Sequence, residues 1–192
     1  EALDQLGSGD VNLRINSPGG SVDEAFAALE NLKRHDGKIN VTIDSVAASA
    51  ASFFLDKSFS VVAAKHARIM IHKPMAITYG NIADHESTIA TLKAYGESIA
   101  TVYSRMNATP KEIDAMLEKE SWFTAQQALE IGLIDSINQD AAYVEPAKVP
   151  KNRFKHTPKD LLDIKPPAKI ETPFRIAASL RLKQRQAELT RA

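Results

Sequence analysis

The chain has 192 residues, of which 44% are hydrophobic and 25% charged, as expected of a folded globular protein with one core of ordinary size. It contains no cysteine, which excludes disulfide frameworks, thiolate nucleophiles and zinc–thiolate sites. The charges balance overall but not locally. Residues 1–140 carry 12 Lys/Arg against 19 Asp/Glu, and residues 141–192 carry 12 against 5. Six of the nine prolines also lie after residue 140, so we predict a domain over 1–140 and a basic, Pro/Lys-rich tail over 141–192.

No apolar stretch reaches the ~18 residues that a membrane-spanning helix needs, and no signal peptide opens the chain. We therefore expect a cytoplasmic protein with no membrane partner. The sequence begins at Glu1, and EALDQLGSGD is typical of the end of a helix followed by a turn. We expect an N-terminal segment to be missing.

The first part of the chain is predicted to be a βαβ unit. VNLRIN (11–16) alternates apolar and polar residues, as a half-buried strand does. SPGG (17–20) is a turn, and Ser21 with Glu24 forms a capping box that opens a helix to about residue 35. INVTID (39–44) is the second strand, which implies a parallel pair of strands.

A run of small residues (45–52) follows the second strand, and a short apolar helix is predicted to start there. Residues 60–64 and 67–72 are predicted strands, and the second of these ends on His72.

The second half of the domain is predicted to be mainly helical. A long helix is expected over 81–106, a second over 110–119 behind a Thr-Pro-Lys-Glu capping box, and a third from Thr124 to Gly132. Residues 133–137 are predicted to form the last strand. Successive strand and helix units in one domain indicate the α/β class.

The tail has no sustained hydrophobic period, so we predict an extended or disordered segment with a basic helix over 176–192.

Three weak signals could carry chemistry. Ser45, Ser49 and Ser52 lie where a strand meets a helix start, which is where nucleophilic hydrolases present serine, but spacing does not choose among them. The glycines of SPGG could present an amide to an oxyanion, or could form an ordinary tight turn. His72 could be a general base or a structural histidine at a strand end.

Further candidates are weaker. Glu118 and Glu120 form an acidic run that would matter only if it folded against His72, where a carboxylate orients and stabilises the imidazole. No pair of histidines has the spacing of metal ligands, so we expect no metal and no cofactor.

Taken in order, four blocks make one stronger signal. INSPGGSV (15–22), AASAAS (47–52), MIHKP (70–74) and WFTAQQALEIGLIDSI (122–137) resemble the ClpP serine peptidases, the Clp proteolytic subunits, over residues 10–138. The resemblance implies a ClpP/crotonase-type fold of repeated ββα units with a protruding handle helix, here the helix 81–106. It also implies hydrolysis of peptide bonds in protein substrates without a cofactor.

The resemblance also implies roles for individual residues. Ser49 matches the nucleophile, His72 the base, and the amides of Gly20 and Ala50 match the oxyanion hole. The family acid is an aspartate, and the matching position here is Glu120, with Glu118 as the alternative. Glutamate serves as the acid in other hydrolases.

The glutamate and the Pro/Lys-rich tail resemble the ClpP-related proteases of phages and prophages, including head-maturation proteases. The family implies a homo-oligomer of stacked seven-membered rings. An AAA+ unfoldase is a possible partner that the residues present do not support, and no nucleic-acid partner is expected.

Three rival readings stay open on the sequence. A signal-peptide-peptidase-like enzyme would share SPGG but use a Ser–Lys dyad, which the histidine of MIHKP argues against. A crotonase-type acyl-CoA enzyme would have an oxyanion hole but no serine nucleophile. A non-enzymatic capsid-assembly module would have a degenerate site and would use the basic tail to bind nucleic acid or an acidic shell.

Overall fold

A computed structural model describes residues 2–5, 7–150 and 152–162. The helices are α1 (Ala2–Gln5), α2 (Val22–Lys33), α3 (Ile82–Val102), α4 (Pro110–Glu118), α5 (Ala125–Glu130) and α6 (Lys159–Leu162). The strands are β1 (Val11–Ser17), β2 (Ile39–Ala48), β3 (Ser60–Ala64), β4 (Arg68–Ile71), β5 (Ser121–Thr124) and β6 (Ser136–Asn138). A 3₁₀ turn, Ser49–Phe54, follows β2 directly. None of the helices in the described ranges is long and apolar enough to cross a membrane.

Strand β2 organises the six-stranded sheet. Its first half pairs in parallel with β1 on one side and with β3 on the other, and its last residues, Val46–Ala48, pair with β4. β6 lies parallel to β3, and β5 lies antiparallel to β4. The α/β class is therefore confirmed, with a sheet whose neighbours change along β2.

Both faces of the sheet are covered where β2 pairs with β4. One face packs on α2, the 3₁₀ turn and the end of α3 and forms the main core, which includes Leu29 and Tyr103. The other face forms a second cluster of Val46, Ala48, Met70, Val149, Phe154 and Leu161, with Trp122 against it. Residues 45–48 of β2 are buried on both sides for this reason, as in a sheet covered by two layers, whereas residues 39–44 alternate between buried and half-buried.

Several element boundaries differ from the prediction. β2 continues four residues beyond the predicted end at 44, because Val46–Ala48 pair with β4. The long helix ends at Val102 rather than at 106. The last strand, predicted over 133–137, is β6 and begins only at Ser136, and the apolar residues Leu133 and Ile134 are buried in the turn before it. β5 was not predicted.

The described part of the tail lies on the domain. We call residues 141–150 and 152–162 the arm. The side chain of Asn16 donates to the carbonyl of Glu145 and accepts from the amide of Ala147, and Arg68 pairs with Asp160. The boundary at residue 140 stays a prediction, and the basic helix predicted over 176–192 lies outside the described residues.

Candidate active site

Ser49 lies at the turn where β2 passes into the 3₁₀ turn, and its φ is 56°. This left-handed conformation is costly for a residue with a Cβ, and it occurs where a sharp strand-to-helix turn presents a nucleophile. The Oγ of Ser52 donates to the carbonyl of Ser49 at 2.6 Å and lies 2.7 Å from the hydroxyl of Tyr103. Tyr103 is buried, and burial raises the pKa of its hydroxyl, so this group stays protonated and holds the turn.

His72 comes directly after β4, and its Nε2 lies 2.7 Å from the Oγ of Ser49. The register of the sheet explains the meeting, since Ala48 of β2 is the partner of Met70 in β4. The carboxyl ends of neighbouring parallel strands emerge at the same edge of a sheet, so the residues that follow them lie side by side. The structure thus selects Ser49 among the three candidate serines as the one in contact with a histidine.

The environment of His72 favours its neutral form. Burial lowers the pKa of His72, the charge of Glu120 acts in the opposite direction, and the charge of Arg153 lowers it further. A neutral imidazole within 3 Å of a hydroxyl can accept its proton, which is the geometry of a general base.

The glycine turn lies against the serine turn. A Cβ added to Gly19 would come within 2.5 Å of the carbonyl oxygen of Ala48 and 2.7 Å of the Cβ of Ser49, and φ of Gly19 is +88°. Only glycine fits there. Gly20 and Ala50 line a small cavity of about 90 Å³ together with Ser49 and His72, so the two residues predicted to supply amides border the same cavity as Ser49.

Glu120 is 8% exposed and lies in the turn between α4 and β5, with φ 53°. Its Oε1 accepts from the amide of His156 at 2.6 Å and its Oε2 from the amide of Lys155 at 2.9 Å. Its charge reaches His72, but no hydrogen bond joins the two side chains in the described structure. Glu118 is exposed on the groove beside α3 and is not among the charges that shift the pKa of His72.

The arm supplies two side chains that the sequence reasoning missed. The ring of Phe154 contacts His72 and Trp122 edge-on, with ring centroids 5.4 Å and 6.0 Å apart. Arg153 lines the cavity beside Ser49. No motif pointed to them, because they lie in a stretch without hydrophobic period and far along the chain from the four blocks.

The other candidate groups have other partners. Ser45 is buried at 1% exposure, and Lys73, the base that a Ser–Lys dyad would need, pairs with Asp114. His35 binds the carbonyl of Gly9, and His66 accepts from the amide of Val144. Across residues 2–5, 7–150 and 152–162, no three His, Asp or Glu side chains are grouped as metal ligands.

The sequence is similar to known proteins over most of its length. A sequence model of the Clp protease family matches residues 2–141. The chain is 31% identical over 141 residues to "ATP-dependent Clp protease proteolytic subunit 3" of Streptomyces coelicolor, an alignment that covers 72% of this chain and 65% of the relative. It is 35% identical over 141 residues to "ATP-dependent Clp protease proteolytic subunit 2" of Rhodococcus jostii, covering 70% and 71%. The chain belongs to the Clp protease family.

Proposed function

We propose that the chain is a serine endopeptidase that hydrolyses peptide bonds through an acyl-enzyme intermediate. The observation that carries the proposal is the 2.7 Å contact between the Oγ of Ser49 and the Nε2 of His72, at a turn packed against Gly19. Membership of the Clp protease family, whose named relatives are proteolytic subunits, supports the same reaction.

The mechanism follows from this pair of side chains. The Oγ of Ser49 attacks the carbonyl carbon of the substrate while Nε2 of His72 takes its proton, and a tetrahedral oxyanion forms. The amides of Gly20 and Ala50 stabilise that oxyanion, and the loss of one such donor costs about 10²–10³ in rate. His72 then protonates the leaving amine, and water, activated by the same imidazole, hydrolyses the acyl-enzyme and restores Ser49.

Glu120 is the acid of this proposal. Its negative charge stabilises the imidazolium that forms in each step, in opposition to the buried surroundings of His72. Each of its oxygens accepts one amide bond and retains a lone pair, so an acceptor position remains for the Nδ1–H of His72.

A homo-oligomer is part of the proposal. The segment before α3 and the first half of α3 carry large apolar side chains in solvent: Ile77 is 103% exposed, Tyr79 99% and Ile82 77%. A groove of about 1070 Å³ between α3 and α4 is lined by a further exposed apolar side chain of α3, Ile89. Exposed apolar surface of this kind marks an interface. We take α3 to be the handle that interdigitates between two rings of seven subunits.

The substrates are proteins or peptides, and the enzyme is expected in the cytoplasm. The glutamate at position 120 and the Pro/Lys-rich tail support a place among the phage and prophage members, with head maturation as the reaction served. No described feature calls for an ATPase partner.

A fluorophosphonate probe tests the reaction and the nucleophile together. The full chain should become covalently labelled, and mass spectrometry should place the label on Ser49. Ser49→Ala should abolish labelling. Ser45→Ala, which removes a buried hydroxyl four residues earlier in β2, should leave labelling intact. Labelling that survives Ser49→Ala would refute the assignment. Light scattering on the same sample distinguishes a ring assembly from a monomer.

A further inference from the structure

The arm is built into the domain beside the candidate site. Val149, Phe154 and Leu161 are 7%, 6% and 4% exposed and pack on the sheet face formed by Val46 and Met70. These residues form a continuous apolar layer rather than a surface contact. An extended segment buried in this way is part of the fold.

One short piece of the arm contacts both His72 and Glu120. The ring of Phe154 meets the His72 imidazole at an interplanar angle of 66° and is backed by Trp122 at 71°. The next two amides, of Lys155 and His156, donate to the two oxygens of Glu120.

The end of this piece is itself anchored. The Nδ1 of His156 lies 2.9 Å from the carbonyl of Lys119, directly before Glu120 in the chain. The arm therefore binds the turn that carries Glu120 at two places: the carboxylate of Glu120 and the main-chain carbonyl of Lys119.

We propose that the arm segment Arg153–His156 is a positioning element of the active site, in which Phe154 orients the His72 imidazole and the amides of Lys155 and His156 orient the Glu120 carboxylate. This inference rests on the proposed function, since it assigns roles in the same reaction.

The side chain of Glu120 needs such an element because its carboxylate is flexible. A glutamate carboxylate turns about three side-chain bonds, and fixing each costs free energy that the bound state must recover. Among the described residues, the amides of Lys155 and His156 are the donors that hold it. Hydrogen bonds to a charged acceptor are the stronger kind, so the arm fixes where the negative charge lies relative to His72.

Phe154 acts on the imidazole in two ways. Edge-to-face contact restricts rotation of the ring, which keeps Nε2 directed at Ser49. The same ring keeps water from His72, and this burial lowers the pKa of His72, while the charged groups that reach it are Glu120, which opposes the shift, and Arg153, which adds to it.

The same contacts would also be made if the arm were an inhibitory cap that blocks the site. In that case, loosening the arm would raise activity instead of lowering it. Arg153 lines the cavity beside Ser49, so an inhibitory arm would release activity when loosened. The burial of Phe154 within a cluster of six residues favours a permanent part over a removable cap. A positioning role and an inhibitory role predict opposite changes in the rate of Ser49 labelling when the arm is loosened.

The measurement is the rate of fluorophosphonate labelling of Ser49 in the full chain, followed from pH 5 to 9. Phe154→Ala should slow labelling about tenfold or more, because small displacements of a general base cost that much. In Phe154→Ala, the acid limb of the pH profile of labelling should move to higher pH, toward the ordinary histidine pKa, because water reaches His72. Phe154→Tyr should restore most of the rate, because it keeps the ring.

The matched control is Leu161→Ala. It removes a side chain of the same cluster and the same arm, 4% exposed, that has no contact with His72 or Glu120, so its rate and acid limb should match those of the wild type. A purely structural role for Phe154 predicts that Leu161→Ala and Phe154→Ala change labelling alike, which would overturn the inference.

A second pair of variants tests the main-chain bonds. Lys155→Pro removes the amide that donates to Glu120, whereas Lys155→Ala keeps it. Lys155→Pro should slow labelling while Lys155→Ala does not, and circular dichroism should show both folded. If Phe154→Ala fails to fold, this pair decides the question.

The outcomes separate the two proposals. A wild-type chain that is never labelled at Ser49 would refute the proposed function. Wild-type labelling with an unchanged rate and acid limb in Phe154→Ala, or with faster labelling in Phe154→Ala or Lys155→Pro, would refute the positioning role alone.

Discussion

The hydrogen-bonded chain from Tyr103 through Ser52 to the carbonyl of Ser49 should be worth a measurable share of the stability of the nucleophile turn. The hydroxyl of Tyr103 lies 2.7 Å from the Oγ of Ser52, which donates onward at 2.6 Å. Both groups are buried, at 1% and 0% exposure, so no water replaces a partner that is removed. An unsatisfied buried polar group costs about 1–3 kcal/mol.

Tyr103→Phe leaves Ser52 bonded to Ser49 but without its donor, and should cost about 1–2 kcal/mol. Ser52→Ala leaves both the Tyr103 hydroxyl and the Ser49 carbonyl without this partner and should cost about 2–3 kcal/mol. In a chain of this size these losses lower Tm by about 2–4 °C per kcal/mol. Once Ser52 is gone, removing the hydroxyl of Tyr103 should be almost neutral.

The assay is a double-mutant cycle by denaturant unfolding, at one fixed protein concentration because assembly contributes to apparent stability. We expect a coupling of about 1–2 kcal/mol between Tyr103→Phe and Ser52→Ala. Ser52→Ala should also slow labelling of Ser49, because the strained φ of 56° loses the bond that holds it. Additive losses, within about 0.5 kcal/mol, would refute a coupled network.

Three further outcomes are expected from the site. Glu120→Gln should lower peptidase turnover at least about tenfold, whereas Glu118→Gln, in the exposed groove, should leave it unchanged, and the reverse result would reassign the acid. Gly19→Ala should abolish labelling of Ser49, since the added Cβ would overlap the serine turn. The Cβ added by Gly20→Ala meets no atom within 4 Å, so this variant should fold normally. Thermal melts measure the folding of both variants, and the fluorophosphonate probe measures their labelling. The acid limb of kcat/KM should lie below pH 6.5, because the lowered pKa of His72 keeps the base neutral there; an acid limb above 6.5 would contradict a buried base.

The sequence predicted the elements that carry a strong local signal. The alternation in 11–16, the capping box at Thr109 and the β-branched strand at 39–44 each specify a structure from neighbouring residues, and all three form. The extension of β2 to Ala48 could not be predicted, because three of its four added residues, Ser45, Ala47 and Ala48, have no strand preference of their own. Its strand conformation comes from pairing with β4, which is a property of the sheet.

The pairing of Ser49 with His72 was predictable only in part. Local pattern put three serines near a helix start, and nothing in the spacing chose among them. The choice depends on register: Ala48 is opposite Met70, so the residues just beyond meet at one edge of the sheet. The resemblance to ClpP carried this information, because related sequences share the register that a single sequence does not display.

The position of the arm could not be predicted, for a physical reason that also bears on Glu120. A segment such as 141–162 has no period because it forms neither a regular helix nor a strand, and its buried residues are spaced by the shape of the sheet they cover. A glutamate at position 120 has one more rotatable bond than the aspartate that the family uses, so its carboxylate needs additional restraint to be held at one place. The amides of Lys155 and His156 supply that restraint. With Glu120 as the proposed acid, its departure from the aspartate that the resemblance implies and the presence of the arm are linked: the longer carboxylate can serve a fixed imidazole only where some other part of the chain holds it.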